Sequence, residues 1–278
     1  MILLELLKAL LYGLVEGITE WLPVSSTGHL ILLGQACPLA VSEEFSEVFD
    51  VVIQLGAIMA VVLLYFSRLN PFSHAKSVAE RRRTRGLWLR VGIAVLPSAV
   101  LGFLLDDWLD AHLFNPLTVA VTLVVYGVLF LLVERGAPVR KSLTGDAEAM
   151  DLRQGLGIGL FQVLALIPGT SRSGATILGA MLLGCSRGAA AEFSFFLAIP
   201  TMLGAGGLKV IKLILSDVTI TPLEWGILAV GCLSAFLVSL AVIRFLTDFV
   251  RRHSFAPFGL YRLILGLLVA GSVLLGVL

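Results

Sequence analysis

The sequence predicts an all-α polytopic membrane protein, and three observations carry that expectation. Only 14% of its 278 residues are charged and 58% are hydrophobic, against roughly 25% charged in a soluble domain. Apolar runs near the roughly 20-residue membrane length recur along the whole chain. Two more apolar stretches are interrupted by polar centres rich in Gly, Pro and Ser. The expected architecture is a single integral membrane domain, residues 1–278, with six membrane-spanning helices and two re-entrant helical hairpins.

The uninterrupted runs place the six spans at about 48–67, 87–105, 116–133, 193–215, 224–246 and 258–278. The broken stretches are about 2–33 and 154–190. The first breaks at Pro23-Val-Ser-Ser-Thr-Gly28 and the second at Pro168-Gly-Thr-Ser-Arg-Ser-Gly174. Irregular backbone at membrane depth survives only where protein or a water-filled cavity satisfies it, so both stretches read as re-entrant. The first run, MILLELLKALLYGLVEG, has no basic leader and is interrupted by Glu5 and Lys8. It reads as part of the fold and not as a cleaved signal peptide.

Loop charges give the orientation. Arg68, Lys76, Arg81, Arg82, Arg83, Arg85 and Arg90 crowd residues 68–90, a cytoplasmic signal. Arg135, Arg140, Lys141 and Arg153 mark 134–153 as cytoplasmic too, and Arg251 and Arg252 do the same for 247–257. Residues 106–115 hold Asp106, Asp107 and Asp110 with no Lys or Arg, and 35–47 and 216–223 also lack basic residues. These three loops fit the outer side. The alternation closes if 2–33 enters from outside, 154–190 from inside, and both termini lie outside.

The halves repeat. Pro23 and Pro168 stand 145 residues apart, as do Ser26 and Ser171, Gly34 and Gly179, and Glu47 and Glu192. Repeat one covers about 1–134 and repeat two about 151–278. Each contains a broken stretch and three spans, so the second must enter the membrane inverted. This is the inverted-topology plan in which broken helices meet near the midplane.

The two breaks hold the chemistry. Glu16 and Glu20 share a helix face, and Pro23 ends or kinks that helix. Ser25, Ser26, Thr27, Gly28 and His29 follow. Hydroxyls and freed N–H groups at a helix start form an anion cradle. The second break adds Arg172, whose guanidinium can grip a phosphate with two parallel bonds. Hydroxyls in membrane helices often only pack or cap, the better reading for Ser25 and Thr27. Charges are different, because each costs roughly 2.5–3.5 kcal/mol at mid-membrane. They belong in a protected interior, with ion-pair glue as the bland alternative. Asp50, Gln54, Glu192 and Ser194 are weaker members of the same interior. Together these groups suit phosphoryl transfer, which needs positioning and charge stabilisation. The carboxylates would hold a divalent cation or take a proton, Ser or water would attack, and His could donate a proton. Net charge is +1, so nothing favours nucleic acid. Cys37, Cys185 and Cys232 are scattered and suggest neither a disulfide framework nor a zinc site.

Residues 16–29, Glu-Gly-Ile-Thr-Glu-Trp-Leu-Pro-Val-Ser-Ser-Thr-Gly-His, and 168–176, Pro-Gly-Thr-Ser-Arg-Ser-Gly-Ala-Thr, resemble the two signature motifs of the bacterial undecaprenyl-pyrophosphate phosphatases, the bacitracin-resistance proteins. Phe49-Asp-Val-Val-Ile-Gln-Leu-Gly56 resembles a third recurring stretch. The similarity covers essentially the whole chain, with no departure at the motif positions. It implies hydrolysis of undecaprenyl pyrophosphate, which recycles the lipid carrier for cell-wall synthesis. It also implies dependence on a divalent cation (Mg²⁺ or Ca²⁺) and an active site facing the periplasm or outer side of the bacterial inner membrane. Glu16 and Glu20 would be the acidic pair and the metal ligands. Ser26 and His29 would be the hydroxyl and imidazole of the first motif. Arg172, Ser171, Ser173 and Thr176 would bind pyrophosphate, with Ser25, Thr27 and Gln54 as further substrate contacts. Ser26 is the first candidate nucleophile and water the alternative. The implied partners are a polyprenyl pyrophosphate and membrane lipid, with homo-oligomerisation left open. A transporter or flippase of a polyprenyl phosphate lipid is the competing class, because the inverted repeat is also a transporter plan.

Overall fold

A computed structural model describes residues 2–136, 144–215 and 220–276. Arg140, Lys141, the first half of the 216–223 loop (216–219) and the last two residues of the 258–278 span lie outside the described residues. Among the described residues the secondary structure is helical, with no β-strand. In chain order the helices are α1 (Ile2–Thr19), α2 (Ser26–Ala36), α3 (Glu43–Leu64), the short α4 (Phe66–Leu69), α5 (Val78–Leu113) and α6 (Pro116–Arg135). The second half contains α7 (Leu152–Val163), α8 (Arg172–Leu182), α9 (Arg187–Leu215), α10 (Pro222–Arg252) and α11 (Ala256–Leu274).

Helices α3, α5, α6, α9, α10 and α11 are long and apolar enough to cross a membrane. The chain is therefore a multi-pass membrane protein, and all six expected spans fall on these helices. Several helices start before their apolar runs because capping residues extend them. Ser77 and Glu80 form a reciprocal capping box that starts α5 at Val78. The arginine block from Arg81 to Arg90 therefore sits on the first turns of a helix, where a loop was expected. Thr221 and Glu224 start α10 in the same way. Pro97 and Pro200 lie inside α5 and α9.

Both broken stretches are helix–break–helix units. α1 ends at Thr19 and α2 begins at Ser26. α7 ends at Val163, a 3₁₀ turn follows at Leu164–Leu166, and α8 begins at Arg172. α2 and α8 have 11 residues each, or ~16 Å at 1.5 Å per residue, about half a hydrocarbon core. Within each unit the arms pack on one another.

Packing crosses between the halves. α1 lies against α10, α7 against α5, α3 against α9, and α6 against α11. Glycine allows the closest approaches, as is usual between membrane helices. A Cβ at Gly13 would stand 2.3 Å from the Gly231 carbonyl oxygen, and one at Gly159 would stand 2.3 Å from that of Ala94.

Ionic contacts gather one end of the bundle. Arg68 binds Asp146 at 2.6 Å, Glu148 at 2.9 Å and Glu192 at 2.9 Å. Burial works against its charge, but the bond to Glu148 and the surrounding acids outweigh that and hold its pKa above the usual value. Arg187 pairs with Glu134, which also accepts from the Phe255 backbone N–H. Segments 68–76, 146–148 and 187–192, with Glu134 and Phe255, thus share one end. At another point, Lys8 donates to the Pro38 carbonyl and Glu5 accepts from the Ala40 N–H.

Candidate active site

Two serines aim the site. Ser25 and Ser171 are the N-caps of α2 and α8, and their hydroxyls accept from Gly28 N at 3.3 Å and Gly174 N at 3.1 Å. Both hold positive φ, 74° and 71°, a conformation that costs an L-residue of order 1–3 kcal/mol. The caps are 146 residues apart (171 − 25 = 146). The equivalence at the helix starts is therefore Ser25 with Ser171, one residue off the 145 offset. Arg172 then takes the place of Ser26, the first residue of its helix.

These two residues converge on one carboxylate. Ser26 Oγ donates to Glu20 Oε2 at 2.7 Å, and Arg172 Nη2 donates to Glu20 Oε1 at 2.9 Å. Glu20 follows the end of α1, in the first break. Arg172 is further held by the Ser194 carbonyl at 2.7 Å and lies over Trp21, 5.9 Å from the ring centroid. Its Nε–H has no protein partner.

Glu20, Ser26, Thr27, Gln54, Ser171 and Arg172 line a pocket of about 200 Å³. Ser98, Gln162 and Thr201 form another polar part of its wall, and Ala165, Leu166, Ile167, Met202 and Ala205 supply apolar lining. Gln162 ties that wall together by donating to Ser98 Oγ at 2.7 Å.

The other expected residues do not line this pocket, and several of them brace it. Ser173 Oγ donates to the Glu20 and Leu22 carbonyls, which fastens α8 to the first break. Thr176 is fully buried and bonds to Ser194 Oγ at 2.7 Å and the Arg172 carbonyl at 2.9 Å. Ser25 is a cap. His29 turns toward α11: its Nδ1 donates to the Ser25 carbonyl at 2.7 Å and its Nε2 meets the Tyr261 hydroxyl at 2.6 Å. The Nδ1 bond puts the ring proton there, so neutral Nε2 accepts from Tyr261. Glu16 lies one turn before Glu20, fully buried, with both carboxylate oxygens unpartnered. Asp50 Oδ1 is also buried and unpartnered. Glu192 belongs to the Arg68 cluster instead.

Arg262 escaped the sequence reading. It is fully buried on α11 and binds carbonyls of both breaks. A signal existed, because it is the lone charge in the apolar run 258–276, and intramembrane charge is a functional hypothesis by default. Ser98, Gln162 and Thr201 gave no such signal.

Among the described residues no three His, Cys, Asp or Glu side chains gather as a metal cage. The oxygen donors still fit Mg²⁺, which takes one or two carboxylates and completes its shell with water and substrate phosphate. Glu16 brings two unpartnered oxygens, and Glu20 retains lone pairs beyond its two hydrogen bonds.

Residues 9–268 match the family model described as bacitracin resistance protein BacA. A curated protein of Streptococcus thermophilus named undecaprenyl-diphosphatase is 53% identical over 268 residues, 96% of this chain and 93% of that one. One of the same name from Streptococcus equi subsp. equi is 50% identical over 274 residues, 98% of each chain. Another, from Streptococcus agalactiae, is 52% identical over 269 residues, 97% of this chain and 96% of that one.

Proposed function

The chain belongs to the BacA family of bacitracin-resistance proteins, and from that membership we propose that it is an undecaprenyl-diphosphatase. It hydrolyses undecaprenyl pyrophosphate to undecaprenyl phosphate and inorganic phosphate. The single observation that carries the mechanism is the Ser26–Glu20–Arg172 chain. It has the order of nucleophile, base and orienting group that activated serines require.

In this mechanism the Arg172 guanidinium and the first N–H groups of α2 and α8 receive the pyrophosphate. Ser26 Oγ attacks the terminal phosphorus while Glu20 takes its proton. The bridging P–O bond breaks and undecaprenyl phosphate leaves. Water then attacks the phosphoserine, releasing inorganic phosphate and returning the proton to Ser26. Glu16 and Glu20 would hold the divalent cation, which neutralises phosphoryl charge when bound. His29 acts through Ser25, whose cap aims Ser26; its contacts favour that over direct proton donation. Glu20, Ser26 and Arg172 come from one chain, so this chemistry needs no second copy.

The two helix–break–helix units are assigned as re-entrant hairpins of an inverted repeat. The crossed pairing of α1 with α10 and α7 with α5 supports this. The end gathered by Arg68, Glu134 and Arg187 is assigned to the cytoplasm, because the arginine block of α5 lies beside it. On the same reading the site is proposed to open to the outer face of the inner membrane.

The test is phosphate release from a prenyl pyrophosphate by purified protein in detergent micelles, with rapid quench. Phosphoenzyme formed on Ser26 supports the mechanism. Release without a trapped adduct, and with inversion at a chirally labelled terminal phosphorus where two displacements would retain configuration, would assign attack to water. No release by folded, metal-supplied protein would defeat the hydrolase assignment and favour a transporter, whose vectorial activity detergent abolishes.

A further inference from the structure

We propose that Arg262 is a positioning residue that clasps both breaks and sets the register in which Ser26 and Arg172 meet Glu20. The proposal rests on the phosphatase reading above and adds a residue to it. Arg262 stands on α11, outside both motifs, yet its guanidinium reaches both. Nη1 donates to the Pro23 carbonyl at 3.2 Å, and Nη2 donates to the Gly169 and Thr170 carbonyls at 2.8 and 2.9 Å. The Tyr126 ring lies under the charge, 5.3 Å from its centroid. The side chain is fully buried and does not line the pocket.

A buried cation is costly unless it answers a specific need. Here the need is visible. Each break turns carbonyls away from any helix, and an orphaned buried carbonyl is itself unfavourable. Arginine presents five N–H donors in a rigid fork, so one side chain satisfies carbonyls from two segments 145 residues apart (168 − 23 = 145). Lysine concentrates its donors at one point and cannot span both loops in the same way. Pro23 is two residues before the Ser25 cap, and Thr170 directly precedes the Ser171 cap. The clasp thus fixes the two strained caps relative to each other, and with them the Ser26–Glu20–Arg172 contacts. The neighbouring Tyr261 bonds to His29, which holds the Ser25 carbonyl. Consecutive residues of α11 therefore brace the same helix start from two sides.

The experiment compares wild type, Arg262→Lys and Arg262→Gln in detergent by two readouts. The first is hydrogen exchange. Amides in 20–29 and 167–174 are expected to lose protection together in both variants, while α6 keeps its own. Loss in one break only, in neither, or across α6 as well overturns the clasp. The second readout is turnover. Misplacement of reacting groups by about 1 Å lowers rate roughly 100-fold, so kcat should fall by about that factor with KM changed less than about threefold. The loss should also be non-additive with Ser26→Ala, because both act on the same arrangement. Unchanged kcat in folded variants, a rise confined to KM, or additive losses each refute positioning. If neither variant gives folded protein, Arg262 is a general stability residue and the proposal falls. Failure of the wild type itself to release phosphate would instead defeat the phosphatase reading, and the exchange result would still decide the clasp.

Discussion

Replacing Glu20 by Gln tests the centre of the proposed mechanism with little change of shape. The carboxylate accepts from Arg172 at one oxygen and from Ser26 at the other. A carboxamide has one oxygen and one NH₂. Arg172 is donor-only, so the amide oxygen must face it and the NH₂ must face Ser26. The Ser26 hydroxyl then accepts where it had donated, and its proton has no base. The Ser26 bond becomes a neutral one and the Arg172 bond loses its anionic partner, a loss of about 1–1.5 kcal/mol each and about 2–3 kcal/mol together. Loss of a general base lowers rate about 10²–10⁴-fold, or roughly 3–5 kcal/mol of barrier. Glu20→Gln should therefore fold in detergent with reduced stability and release phosphate at least about 100-fold more slowly. Glu20→Ala should be worse in stability, since it strands the buried Arg172, at about 3–5 kcal/mol. Purified variants would be followed by phosphate release and by thermal unfolding with tryptophan fluorescence. Turnover of folded Glu20→Gln within about threefold of wild type would refute Glu20 as the base for Ser26.

Three further outcomes are expected. Glu16→Gln should leave stability unchanged or raise it, because it neutralises a buried carboxylate with no partner. It should also lower phosphate release, and a clear drop in melting temperature would show that an ionised Glu16 is structurally satisfied. Chelation with EDTA should stop phosphate release, and Mg²⁺ or Ca²⁺ should restore it, with Glu16→Gln requiring more metal; full activity in excess chelator would exclude the proposed cation. Gly159→Ala should destabilise by about 1–3 kcal/mol through overpacking, because its Cβ would meet the Ala94 carbonyl at 2.3 Å. Gly92→Ala on the neighbouring α5, with nothing within 4 Å of its Cβ, is the matched control, and equal melting shifts would refute the close-approach account.

The spans were legible because their signal is bulk: roughly twenty apolar residues in lipid leave few alternatives. Their ends were less so. The Ser77–Glu80 capping box was present in the sequence, but the arginine block beside it looked like a loop. Glu20 and Arg172 were legible for an energetic reason, since charge in an apolar stretch demands a protected partner. Hydroxyls carry no comparable signal. Ser26 faces the pocket, while Ser173 and Thr176 turn to carbonyls and to Ser194. That choice depends on helix rotation, which one residue of offset alters. The same holds for His29, whose motif position did not reveal that Tyr261 waits on another helix. Arg262 obeyed the rule that exposed Arg172, but it stood outside the two motifs.

That one residue of offset also explains how similar halves make an unsymmetrical site. Between proline and cap the first break has Val24 alone, and the second has Gly169 and Thr170. Gly169 absorbs the extra residue at φ 83°, a conformation that favours glycine. The insertion has two results. It presents two adjacent carbonyls to Arg262 where the first break presents one. It also makes Arg172 follow the second cap where Ser26 follows the first. Like caps thus deliver unlike side chains to the same carboxylate, a donor-only cation to one oxygen and a nucleophile to the other. A strictly symmetric pair would bring two hydroxyls or two guanidiniums to Glu20. The first pairing would lack a phosphate grip, and the second would lack a group able to attack phosphorus.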